Sequence, residues 1–327
     1  MSAAASPLAE RVAALFEGRS GFVRVVATCD AADDLGLGEG RTNQNFIVTV
    51  GEGAAEERYF VRIGKDLPAF GVSRLREQAA SRAASSAGIA PAVLDCSNGD
   101  VLALEFVDGR ALTASDVRAA AGAGARSPLL RAIVDTLQRL HRVSPPVCFD
   151  RAPTARWSPP DLCRWLALAK EARYSRLPLL DGVDELVGRL EAAAGPLAEG
   201  GGASFCHFDL LPDNLVLDRD GAVWVVDFEY ANAGEPLMDL AIFAMGCEMS
   251  AAEEREMLGL YLATPADDAL MARFGALKVL AALRETLWGV VAEVSESSAL
   301  SLAEAKAYAD KLYPRLEEMR AAFDKRV

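Results

Sequence analysis

Between Leu215 and Val226 the chain spells out a hairpin that constrains its surroundings more than any other stretch. Leu215 to Leu217 and Ala222 to Val226 are short apolar runs, and Asp218-Arg219-Asp220-Gly221 between them is turn chemistry. Counting back from that turn puts Asn214 and Asp227 at the open end, on opposing strands. Neighbouring strands lie about 4.8 Å apart, so a carboxylate and an amide oxygen placed there can converge on one hard cation. A metal site is expected. Asp209 stands five residues before Asn214, in Phe205-Cys206-His207-Phe208-Asp209, and can meet whatever substrate that metal holds. The blander alternative, a hairpin with solvated acids at its ends, requires the three spacings to coincide by chance.

Asp209, then Asn214, then an Asp-Phe dipeptide after a hairpin is the order in which protein kinases place a catalytic base and magnesium ligands. Here His207-Phe208-Asp209 replaces His-Arg-Asp, and Asp227-Phe228-Glu229 replaces Asp-Phe-Gly. In this form the chain resembles the small-molecule phosphotransferases of kinase-like fold, the aminoglycoside phosphotransferase and choline/ethanolamine kinase superfamily. Asp-Phe-Glu-Tyr-Ala at Asp227 to Ala231 is most similar to the choline/ethanolamine branch. The resemblance implies an α+β, protein-kinase-like fold of two lobes. Residues 1–106 would form a small antiparallel-sheet lobe that binds nucleotide, and residues 107–327 a mainly helical lobe for catalysis and acceptor binding. It also implies ATP as co-substrate with Mg2+, Asp209 as base, and Asn214 and Asp227 as metal ligands. Glu229 is a candidate ligand of a second magnesium. His207 and Asp239 would support the catalytic loop; without the resemblance, Asp239 reads as a helix cap.

Leu35 to Asn43 is glycine-rich and lies between strands, where glycines let backbone approach phosphates or simply make a turn. The choline-kinase-like pattern Gly-Gly-Leu-Thr-Asn is similar to Glu39-Gly40-Arg41-Thr42-Asn43, which implies nucleotide contacts from Gly38, Gly40, Thr42 and Asn43. Glu39 departs from that pattern, with a carboxylate where the family has glycine. Arg62 interrupts the apolar strand Tyr59 to Ile63, and Glu77 lies on a helix predicted over 73–87, with Ser73 as N-cap. The resemblance makes them the cation that binds phosphate and its partner acid. Two last strands are expected over 89–95 and 101–106. The backbone of Glu105 and Val107 would then be the hinge that pairs with adenine.

The second half is helical in pattern. Ala119 to Ala125 reads as a flexible connection, and a helix from Pro128 carries His141 on its apolar face as a core histidine. Later helices are expected over 161–172, 181–194, 241–246, 254–261, 277–294 and 302–323. Arg284-Glu285-Thr286-Leu287-Trp288 is similar to the segment that gives choline kinases their cage aromatics. Tyr230, Glu285 and Trp288 are therefore the expected acceptor pocket, since aromatic faces and carboxylates suit an ammonium. The expected acceptor is an amino alcohol such as choline or ethanolamine. Kinases of an aminoglycoside, thiamine or a sugar derivative, and a catalytically silent nucleotide-binding regulator, remain open.

A net charge of −13 argues against a nucleic-acid partner or an anionic membrane surface. The six cysteines form no CxxC pair and two histidines leave little for zinc, so reduced thiols in a cytoplasmic protein are expected. No uncharged apolar run reaches the ~18 residues of a spanning helix. The expected assembly is a monomer or a homodimer.

Overall fold

A computed structural model describes residues 7–16, 23–27, 43–51, 56–94, 99–150, 157–196, 204–295 and 300–325. The N-terminal part is built on an antiparallel sheet in the order β1 (Val23–Ala27), β2 (Gln44–Val50), β3 (Glu57–Ile63), β4 (Val101–Glu105). Side chains on a strand alternate between faces. Phe46, Val48 and Val50 therefore join Tyr59 and Val61 on one face, under Val12 and Phe16 from the segment of helix α1 (Pro7–Ala14). Arg62, between Val61 and Ile63, is left on the other face, toward helix α2 (Arg74–Ser86). That alternation is what brings a strand cation against a helix acid.

Ser73 occupies the N-cap position of α2, but its hydroxyl caps nothing; Asp66 Oδ1 accepts from the Arg74 N–H at 2.7 Å instead. Residues 89–95 do not make the strand expected of them. Among the described residues of that stretch one bridge forms, Val93 to Leu104, because Pro91 has no N–H to give a ladder. The alanine-rich stretch is not a flexible link either. It is helix α3 (Ala114–Gly122) followed by a 3-10 turn at Gly124–Arg126. Thr113 and Asp116 make a capping box at its start, and alanine is the best helix former.

The larger part contains helices α4 (Pro128–His141), α5 (Pro160–Glu171), α6 (Val183–Ala194), α7 (Pro236–Gly246), α8 (Ala251–Leu262), α9 (Asp268–Val294) and α10 (Leu302–Asp324). Helix α9 is the axle: α5, α6, α7 and α10 all pack against it. A helix covered on that many sides must be apolar nearly all round, and Leu277, Leu280, Leu283, Leu287 and Val291 are each completely buried. Ala80 and Ala84 of α2, with Phe70, Val72 and Ile89, belong to the large core of the helical part.

Two small antiparallel sheets carry the central motif. Strand β5 (Gly109–Ala111) pairs with β7 (Leu215–Asp218), which pairs with β8 (Val223–Val225), while β6 (Ser204–Cys206) pairs with β9 (Asn232–Gly234). Gly109 sits opposite Asp218, and a Cβ there would lie 2.3 Å from the Leu217 carbonyl oxygen. Backbone cannot swing aside as a side chain can. Gly109→Ala is expected to pry β5 off β7 at a cost of about 1–3 kcal/mol. A urea unfolding curve with an unchanged midpoint would contradict this register.

Candidate active site

The hairpin brings its expected pair together. Leu215 pairs with Val225, and one residue beyond, the Val226 N–H donates to the Asn214 carbonyl at 3.0 Å. Asn214 and Asp227 thus flank the open end. Asn214 Nδ2 donates to the Asp209 carbonyl at 2.7 Å and to Asp209 Oδ2 at 3.3 Å, which turns Asn214 Oδ1 away from the base. Asp227 has φ +64°, a left-handed conformation that Asp tolerates better than most residues, and its side chain is 40 % exposed. An amide oxygen and a carboxylate facing open space are the donor set a hard divalent cation takes, so these residues fit magnesium.

Asp209 is recessed, and burial pushes its carboxyl well above the ordinary carboxylate range. Arg284 opposes the shift; Glu285, Asp227 and Glu229 add to it. A carboxyl tuned upward is suited to take a proton from an alcohol near neutral pH.

The loop that carries Asp209 is held from below by one carboxylate. Asp239, fully buried near the start of α7, accepts from the His207 N–H at 2.6 Å and from the Phe208 N–H at 2.7 Å. His141 Nε2 reaches Asp239 Oδ2 at 3.1 Å, and its Nδ1 meets the Tyr261 hydroxyl at 2.7 Å. His141 is buried, as a core histidine should be, yet it belongs to this brace. Cys206 lies close to both, but burial and Asp239 push its thiol up toward the protonated form, so the three make a poor metal cage, and the hydrogen bond between His141 and Asp239 is the support.

His207 lies under the loop, with Nε2 2.9 Å from the Val226 carbonyl and Nδ1 accepting from the Asp209 N–H at 3.2 Å. That is the neutral Nε2–H tautomer, and burial lowers its pKa in keeping. Phe208 has φ +58°, an uncommon conformation for a bulky residue, and its ring fills the space over Gly234, where a Cβ would lie 2.2 Å from Cζ.

A second network joins the sheet part to the hairpin. Arg62 pairs with Glu77 and donates to Asp227 Oδ1 at 2.9 Å. The expected Arg–Glu pair is present, and it extends onto a metal-ligand candidate. Arg74, which sequence reasoning passed over, lies at its centre. It is 4 % exposed and reaches Glu77 Oε2 at 2.8 Å, Glu229 Oε2 at 3.1 Å and Asn43 Oδ1 at 2.5 Å. Glu229 Oε2 also accepts from Asn43 Nδ2 at 3.3 Å. Asn43 and Glu229 therefore meet over Arg74. Burial raises the Glu229 carboxyl and lowers the Arg62 guanidinium, each charge leaning on the other.

At the hinge, the Glu105 N–H donates to Ala92 and the Phe106 N–H to Arg58, so Val107 is the first residue past these sheet bonds. Gly38, Gly40 and Thr42 lie outside the described residues, as does Glu39.

On the acceptor side, the Tyr230 hydroxyl accepts from Trp288 Nε1 at 2.8 Å, which brings two of the expected pocket residues together. Glu285 accepts from the Tyr308 hydroxyl. Between them stands a second residue the sequence did not flag. Arg284, 2 % exposed, lies 5.2 Å from the Tyr230 ring and 5.0 Å from the Trp165 ring, and donates to Asp161 Oδ2 from Nε at 2.9 Å. Burial works against its charge, but Asp161, Asp209 and Glu285 together outweigh it and hold the guanidinium pKa above its ordinary value.

A recessed carboxyl beside an amide and a carboxylate at a hairpin end, joined to a buried arginine–glutamate pair, is set between an antiparallel sheet and a helical body. The profile of the phosphotransferase enzyme family, APH, matches residues 35–274, and the chain belongs to that family. Solved structures agree on the fold. A choline/ethanolamine kinase family protein from Mesorhizobium loti superposes with a TM-score of 0.67 at 21% identity, covering 93% of this chain and 90% of that one. For the choline kinase LicA from Streptococcus pneumoniae the values are 0.69 and 20%, covering 96% and 98%. For the ADP-bound aminoglycoside phosphotransferase APH(2'')-Ib they are 0.59 and 14%, covering 96% and 99%. No curated protein sequence matches this chain. The chain is a small-molecule phosphotransferase by family and fold. Among the described residues no helix is long and apolar enough to cross a membrane.

Two outcomes follow from this geometry. Gly234→Ala should displace the Phe208 ring and with it Asp209, lowering kcat by about 10²-fold with little change in the far-UV circular dichroism; a kcat near wild type would detach Phe208 from the alignment of the base. A base must be ionised to act, and the Asp209 carboxyl is raised, so if Asp209 is the base, activity should climb with pH across a window above the ordinary carboxylate value of about 3.9. A rate already flat at pH 5 would show that Asp209 is not tuned upward.

Proposed function

We propose that this chain transfers the terminal phosphoryl group of ATP to the hydroxyl of a small organic acceptor in a magnesium-dependent reaction. The observation that carries the proposal is the recessed Asp209 carboxyl hydrogen-bonded to Asn214, which itself flanks Asp227 at the hairpin end. Phosphoryl transfer asks little covalent work of a protein; it asks for positioning and charge neutralisation. Asn214 and Asp227 would hold magnesium, which when bound neutralises charge on the polyphosphate. Glu229 would reach such an ion only from its place beside Arg74 and Asn43.

Arg62 is aimed at the same end of the hairpin and would turn from Asp227 to phosphate oxygens as nucleotide enters. Glu77 keeps it buried and oriented for that exchange. Asn43 stands at the edge of the glycine-rich loop, and Glu105 with Val107 would face adenine. Asp209 would hold the acceptor hydroxyl in line and take its proton as the new oxygen–phosphorus bond forms. His207, neutral and locked between Val226 and the Asp209 N–H, positions the loop and takes no proton.

For the acceptor, an amino alcohol is the class favoured by Asp227-Phe228-Glu229-Tyr230-Ala231 and by the structural likeness to choline and ethanolamine kinases. The test is conversion of ATP to ADP with magnesium against a panel of small hydroxyl compounds, for the wild type and for Asp209→Asn. The variant should bind nucleotide as the wild type does and lose about 10²–10⁴ in kcat. An active Asp209→Asn removes Asp209 as the base. No turnover by the wild type with any acceptor would favour a silent nucleotide-binding role.

A further inference from the structure

The cleft beside the catalytic loop has an unusual charge for an ammonium site. It opens between Phe208, the neighbour of Asp209, and Tyr230, and its walls carry Arg76, Arg164, Asp150 and Asp161. Each carboxylate there is already answered. Asp161 takes two donors from Arg284, at 2.9 and 2.5 Å, and Asp150 Oδ2 takes Arg76 Nη1 at 3.3 Å and Asn232 Nδ2 at 3.2 Å. Arg164 is exposed and meets a carbonyl, that of Pro68, at 3.4 Å; among the described residues it pairs with no carboxylate. Arg76 keeps its Nε buried without a hydrogen-bond partner. Arg284 from behind the wall answers Asp161 and Arg76 answers Asp150, which leaves Arg164 as the guanidinium of the cleft wall that no carboxylate neutralises among the described residues.

The aromatic faces tell the same story. An external ammonium would be recognised by lying over Tyr230, but the guanidinium of Arg284 is already there, between the Tyr230 and Trp165 rings. Trp288 packs against Phe70 and Tyr308, with ring centroids 5.4 and 5.0 Å away. The chain has filled its own cation box with an internal cation. A quaternary ammonium entering this space would meet like charge from Arg284 and gain no open aromatic face from Tyr230.

We propose that the acceptor carries an anionic group, a carboxylate, beside its hydroxyl, and that Arg164 with Arg76 binds that group while the hydroxyl faces Asp209. The inference rests on the phosphotransferase reading of the site and narrows its acceptor from amino alcohols at large to those bearing a negative charge. Guanidinium donors match a carboxylate in charge and planar geometry. Arg164 is a specificity-determining residue on the rim of the site and takes no part in the transfer itself.

The experiment uses the full chain, magnesium and ATP, and pairs of acceptors that differ by a carboxylate: ethanolamine and serine, choline and carnitine, glycerol and glycerate. ADP formation is measured for the wild type and for Arg164→Gln. The carboxylate-bearing member of a pair should be used with the higher kcat/KM. Arg164→Gln should raise KM for that acceptor about ten- to hundred-fold, the loss of one charge-assisted contact, with kcat and the KM for ATP unchanged. Preference for the members that lack a carboxylate, or a carboxylate preference that Arg164→Gln leaves intact, overturns the proposal while the kinase reading stands. Absence of ADP formation with every acceptor removes the kinase reading and this proposal with it.

Discussion

One buried carboxylate holds the reactive part of this molecule in shape. Asp239 is fully enclosed, and its two oxygens take the backbone N–H groups of His207 and Phe208 with His141 alongside. A charge so placed is stable only while every partner is present, because an unpaired buried carboxylate is costly to keep ionised. The backbone just before Asp209 is thereby fixed in a conformation that includes a left-handed Phe208. From there the constraints run outward in sequence order. Asp209 is aligned by His207, Asn214 by Asp209, and Asp227 by the strand bond from Val226 to Asn214. Asp209, Asn214 and the strand that leads to Asp227 are one hydrogen-bonded unit.

The second constraint is electrostatic and couples the two halves of the chain. Arg62 and Arg74 come from the sheet part, Asp227 and Glu229 from the hairpin, and Glu77 lies between them. Five charged groups packed together would repel or desolvate ruinously if signs were not alternated; here two cations meet three acids. The extra negative charge sits where magnesium and a nucleotide would add their own. In this structure Arg62 is paired with Asp227, and in the proposed reaction nucleotide binding would exchange that carboxylate partner for phosphate.

Much of this was legible in the sequence because it is local. The hairpin, the spacing of Asp209, Asn214 and Asp227, and the strand that sets Arg62 on the face opposite Val61 all follow from period-two alternation and turn residues. The misses are of two kinds. Residues 89–95 and 119–125 were misjudged by weighing apolar runs and glycine above Pro91 and the Thr113–Asp116 capping box. Arg74 and Arg284 were missed because their partners are distant in sequence: Glu229 lies 155 residues from Arg74, and Asp161 lies 123 from Arg284. Each left a trace all the same. A cation in the first turn of a helix opposes the helix dipole, and an arginine inside the apolar stretch Leu280 to Leu287 must find an acid. The expected aromatic cage was drawn from the resemblance; whether those faces were open could be seen only once Arg284 had a position.

The most direct measurement is the magnesium dependence of ADP affinity, by calorimetry, in the wild type and in Asp227→Asn. If Asn214 and Asp227 form the cation site that holds nucleotide against Asp209, magnesium should tighten ADP binding to the wild type and do little for the variant. Equal affinity in the wild type with and without magnesium, or an undiminished magnesium effect in Asp227→Asn, would contradict the account.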